Sequence, residues 1–113
     1  MGMWGIEPWD NDGAADWFGD FMDATKIREH WIKTITLDDE DSFEEIRAAI
    51  WIFIQLGRVY VWPIDELESD LVLAINACNV VLGNEDLVEE VPDLIERVKS
   101  EKLELESRRR PVD

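Results

Sequence analysis

The closest approach to a cation site in this chain is three aspartates near the N-terminus, Asp10, Asp12 and Asp16. Carboxylates of this kind hold hard cations such as Ca²⁺ and Mg²⁺. Asp10, Asp12 and Gly13 match the third, fifth and sixth positions of an EF-hand loop. That register puts Pro8 first and Gly19 twelfth, where oxygen ligands are required, so the match fails. A looser divalent-cation site among the three aspartates keeps a metal-dependent or small-ligand enzyme as the alternative reading. Zinc and di-iron sites need clustered Cys and His or Glu-x-x-His pairs. The chain has one cysteine, Cys78, and one histidine, His30, in no such spacing. No metal site and no cofactor are therefore assigned.

Nucleophilic chemistry has no better footing. Ser42, Ser69, Ser100 and Ser107 lie in no catalytic motif, and no glycine-rich phosphate loop is present. His30 stands beside Trp31 in a charged stretch and reads as an exposed or helix-terminal histidine rather than a general base. With 27 acids in the chain, any one carboxylate pair is weak grounds for acid–base catalysis. No catalytic residue is assigned, and a non-enzymatic role is expected.

The charge pattern is more informative. Eleven Lys and Arg stand against 27 Asp and Glu, a net charge of −16 over 113 residues. Such a chain is repelled by nucleic acids and anionic membranes, and its field attracts basic proteins. Asp16, Asp20 and Asp23 recur at helical spacing. No Lys or Arg occurs from Val59 to Glu96, a stretch that includes Glu85, Asp86, Glu89 and Glu90. These seven acids are the candidate partner-binding residues. Basic residues gather from Arg97 to Arg110, which gives a dipolar molecule.

The elements that carry these residues follow from periodicity. Asp12 reads as an N-cap for a first helix over 13–24, with Ala14, Trp17, Phe18, Phe21 and Met22 on one face and the aspartates opposite. Residues 26–37 read as a helix with an extended end. Ser42 and Glu45 form a capping box for a helix ending at Gly57 that is apolar nearly all round and hence central. Val59–Trp62 is β-like and could pair with Thr34–Leu37 as a short ribbon. Asp65 reads as the cap of a helix over 66–82, with Asn76 and Asn79 at its core edge and Cys78 buried and inert. A last helix spans 92–106, followed by a disordered basic tail over 107–113. The expectation is an all-α single domain over 1–106, a bundle of four or five helices, with the two-stranded ribbon as an addition.

The N-terminal text Trp4-Gly5, Pro8-Trp9-Asp10-Asn11-Asp12, Ala14-Ala15 and Asp16-Trp17 reads W-G-x-x-P-W-D-N-D-x-A-A-D-W. It resembles the start of a bacterial family catalogued as domain of unknown function 4259, whose pattern is W-G-x-G-x-F-x-N-D-x-A-x-D. Glu7 replaces its second glycine and Trp9 its phenylalanine. The resemblance implies a bacterial helical domain and carries no activity with it. Physically the stretch suits a lock on the first helix, with Trp4, Trp9 and Trp17 packing and Asp10, Asn11 and Asp12 capping exposed N–H groups.

Neither a basic signal-peptide flank nor a myristoylation serine is visible at the N-terminus, and no apolar run is long enough to span a bilayer. The cytoplasm is the expected compartment. The functional expectation is an acidic protein-binding domain, such as an inhibitor or immunity-type protein for a basic partner. A structural homo-oligomer joined through exposed tryptophans is the third class.

Overall fold

The computed structural model describes residues 5–9 and 11–109. Six α-helices follow one another: α1 (Asp12–Thr25), α2 (Ile27–Ile35), α3 (Phe43–Leu56), α4 (Ile64–Leu82), α5 (Glu85–Glu90) and α6 (Pro92–Ser107), with a 3₁₀ turn at Glu40–Ser42. Among the described residues there is no strand. The fold is all-α as expected, but with six helices and no ribbon.

The ribbon fails for a local reason. The carbonyl of Arg58 accepts from the backbone N–H of both Val61 (3.1 Å) and Trp62 (2.9 Å), which curls 58–62 into a turn. Thr34 and Ile35 continue α2 instead of extending. Residues 85–90, which the periodicity assigns to no element, form the extra helix, with the Asn84 side chain accepting from the N–H of Leu87 at 3.3 Å. Leu87 is then buried.

Helix starts also differ from the sequence reading. Asn11, not Asp12, caps α1, accepting from the N–H of Ala14 at 2.8 Å. The capping box does not form: Ser42 Oγ donates to Asp39 at 2.7 Å within the 3₁₀ turn. Pro63 precedes α4, so Asp65 lies inside its first turn, where a carboxylate still favours the helix dipole. Lys26 ends α1 with φ 54° and its N–H donating to Met22 O, and α2 begins at the next residue.

The core lies where α3 and α4 pack together, with α2 and α6 on either side. Ile46, Ile50 and Phe53 of α3 meet Leu71, Ala74, Cys78 and Val81 of α4 and Val98 and Leu105 of α6. Trp31, Phe53 and Trp62 form an aromatic triangle with centroids 5.0–5.3 Å apart. Trp31 Nε1–H donates to the Ala49 carbonyl at 2.9 Å, so its polar edge is satisfied inside. Cys78 is buried as expected. Asn76 and Asn79 face solvent, because the apolar stripe of α4 passes through Leu71, Ala74 and Cys78. At the C-terminus Arg108 donates to the Ile54 carbonyl (3.0 Å) and pairs with Glu104 (2.8 Å). The rest of the expected basic tail, 110–113, lies outside the described residues, as do Trp4 and Asp10.

Candidate functional site

The turn between α3 and α4 is held rigidly. The Gly57 N–H donates to Phe53 O at 2.7 Å, and a Cβ on Gly57 would stand 2.5 Å from that oxygen and 2.7 Å from the Phe53 ring. Only glycine permits this approach. Trp62 then drops into the core, and its indole N–H donates to Asp70 at 2.7 Å. Asp70 is fully enclosed, yet it has three donors: Trp62 and two nitrogens of Arg28, Nε at 2.7 Å and Nη2 at 2.9 Å. The bidentate guanidinium is the strong geometry for such a pair. Arg28 also reaches Glu66 at 3.3 Å. Contact with Asp70 raises the Arg28 pKa above its ordinary value, chiefly through the hydrogen bond.

By sequence Asp70 falls among the acids of the stretch from Val59 to Glu96 that holds no Lys or Arg. It occupies a core position instead, one helical step from Leu67 and Ala74. That spacing was the signal available to find it: an acid on the apolar stripe of a helix must be paired.

With Trp62 pinned below, the turn presents apolar groups outward. Val59 is 40% exposed, Tyr60 53% and Ile64, at the start of α4, 59%. Tyr60 has φ 72°, an unfavourable backbone state for a bulky residue. Across from the turn lies α1, and the two enclose a groove of about 350 Å³. Gly19 and Met22 floor it, Asp16 and Asp23 stand on its α1 rim, and Tyr60 and Ile64 line the opposite wall. No atom outside its own helix comes within 4 Å of where a Gly19 Cβ would be, so the groove is open at that point.

This placement revises the expected faces of α1. Only Met22 of its apolar residues is buried. Trp17 (58%) and Phe21 (38%) are exposed and stack on each other with centroids 5.0 Å apart. The reason is position: α1 lies at the edge of the bundle and among the helices packs chiefly on α2. The Arg58 guanidinium stands 5.1 Å from the ring centroid of Trp9, tying the N-terminal stretch to the turn.

Asp16, Asp20 and Asp23 are all exposed on α1, and two of them reach the groove. Glu85, Asp86, Glu89 and Glu90 are exposed on α5, beyond the far end of α4. The 19 residues of α4 span roughly 28 Å, so the two acidic groups form separate patches.

Among the described residues no three His, Cys, Asp or Glu side chains converge to hold a metal ion, and Asp10 lies outside them. Asp12 and Asp16 are exposed on the first turns of α1. The hydroxyls of Ser69, Ser100 and Ser107 each donate to a carbonyl three residues back. His30 is exposed between α2 and α3, away from the groove. What the groove can do chemically is receive a cation on an apolar stem. Lys and Arg lay their methylenes along apolar surface and keep the charge at a polar edge. Tyr60 offers an aromatic surface, and Asp16 and Asp23 offer carboxylates.

Comparison with known proteins places the chain. The model of the family described as Domain of unknown function (DUF4259) matches residues 2–108, and the chain belongs to that family. No curated protein and no solved structure matches it. No helix among the described residues is long and apolar enough to cross a membrane.

Proposed function

We propose that this protein is a non-enzymatic acidic binding domain that engages a basic protein through α1 and the α3–α4 turn. The observation that carries this reading is the groove itself: an apolar wall with Tyr60 and Ile64 exposed, faced by Asp16 and Asp23, on a chain of net charge −16. A Lys or Arg of the partner would enter it, with the long-range field supplying a salt-dependent association rate. Trp17 and Phe21 are exposed on the other side of α1 from the groove and give that helix a second, aromatic contact surface. An inhibitor of a basic toxin or enzyme has this chemistry. We assign it to the bacterial cytoplasm, where its lone buried thiol stays reduced.

The test is replacement of Asp16, Asp20 and Asp23 together by Asn. The expected outcome is at least a tenfold loss of affinity for a basic partner captured at low salt, with the helical circular dichroism unchanged. A partner held equally well by this variant would overturn the assignment.

A further inference from the structure

Residues 48–56 of α3 hold no charged side chain, in a chain with 27 acids and 11 Lys and Arg. Burial accounts for Ile50 and Phe53, but the helix also keeps an uncovered side. Ala48, Trp51 and Gln55 are exposed on it, Trp51 by 55%, and Ile52 is half-buried beside them. A groove of about 440 Å³ runs along each flank. One lies against α2, with Ile27, Ile52 and Leu56 in its walls. The other lies towards α6, with Phe43, Trp51 and Leu94. Ala48 borders both. The outward face of a surface helix is normally polar, so an apolar strip flanked by grooves marks a contact surface.

Charge on this face is sparse and ordered. Arg47 and Glu101 face each other at 3.8 Å. Glu44 and Glu45 stand at the N-terminal end of α3. Residues 36–42 turn the chain back, so α2 runs antiparallel to α3 and Thr25 and Ile27 line its groove towards the C-terminal end, with Leu56. Lys26 is exposed between them. A second copy of the face, turned about a two-fold axis with α3 antiparallel on α3, brings Glu45 of each chain to Lys26 of the other. The same rotation lays each Trp51 over the other copy's groove towards α6. Ridge, groove and both signs of charge thus share one patch, as an isologous contact requires. The patch is roughly 21 Å long, from 14 helical residues, and roughly 20 Å wide, from helix spacings of about 10 Å. Two such grooved faces cover on the order of 1,000 Å², the size at which specific interfaces begin. A strongly charged partner finds little here to steer it, whereas a second copy finds its own complement.

We infer that this chain forms a two-fold homodimer through the outer face of α3, with Trp51 as its anchor. The face shares no residue with the acidic groove of α1, and its response to salt has the opposite sign. Each copy carries a net charge of −16, so added salt screens their repulsion and tightens the dimer, while it releases a basic partner from α1.

The test is sedimentation equilibrium of the full chain at about 50 mM and about 500 mM salt. A monomer–dimer equilibrium that is tighter at high salt is expected. Trp51→Glu is expected to be monomeric where the parent is dimeric, with its helical circular dichroism unchanged because the side chain is more than half exposed. Glu45→Lys is expected to weaken the dimer several-fold although it lowers the net charge, and adding Lys26→Glu to restore it. Trp17→Ser, on the aromatic side of α1, is expected to dimerise as the parent does. A parent that stays monomeric at high salt, a dimer that survives Trp51→Glu or is lost in Trp17→Ser, or a charge swap that fails to restore association would overturn the inference and leave the face to a different protein.

Discussion

At the residue scale the structure turns on Asp70, which is wholly enclosed and meets three donors from Arg28 and Trp62. Removing its charge leaves the half-buried Arg28 guanidinium without its main partner. Asp70→Asn is expected to cost about 3 kcal/mol of stability in urea unfolding, the scale for breaking such a pair; a loss under about 1 kcal/mol would show the network to be incidental. Cys78 gives a pH prediction. Burial pushes its thiol up to about 12, against an ordinary value of 9.0. The unfolded thiol loses its proton first, so above pH 9 the unfolded state binds fewer protons and stability falls as pH rises to about 12. The expected contribution is about 1.4 kcal/mol per pH unit in that window, absent in Cys78→Ala when the two are compared by urea unfolding at pH 8 and pH 10. The buried state of Cys78 was legible from its apolar neighbours. The role of Asp70 was not, because Arg28, its partner, is 42 positions away and nothing in the local text joins them.

At the element scale, the helices with long apolar periodicity were readable, and their junctions were not. The bounds of α3, α4 and α6 follow the sequence pattern to within a residue or two, since Ile46, Ile50, Phe53, Leu71 and Val98 recur at the spacing of a helix and are buried. The ribbon was misread because β-branched residues in Val59–Trp62 signal extension, whereas the turn is imposed by the fit of Gly57 on Phe53 and the anchoring of Trp62. Helix α5 was missed because six residues are too few to show a period and its start depends on one side chain, Asn84. Of the candidate site, the acidic face of α1 was legible, and its pairing with the Tyr60 turn required tertiary structure. Two junctions give stability predictions. Gly57→Ala is expected to destabilise by about 2 kcal/mol through overlap with Phe53. Lys26→Gly is expected to stabilise by roughly 1 kcal/mol, because φ 54° penalises a side chain. Thermal unfolding checks both, and a stabilising Gly57→Ala or a destabilising Lys26→Gly would contradict the junction geometry.

At the scale of the whole molecule, the body measures 54 × 30 × 27 Å, and the seven candidate acids lie in separate patches on α1 and α5. The α1 patch borders an apolar groove with Tyr60 exposed in its wall, so it combines steering with an anchoring surface. Neutralising Glu85, Asp86, Glu89 and Glu90 is expected to slow association through the field but to leave dissociation nearly unchanged. The most direct measurement is parallel capture from bacterial extract at about 50 mM and 500 mM salt with three baits: the parent chain, the α1 triple Asn variant and the α5 neutralised variant. The account predicts a basic protein retained by the parent and by the α5 variant at low salt, released at high salt, and lost from the α1 variant. A basic partner retained by the α1 variant and lost from the α5 variant, or no basic partner on any bait, would contradict it.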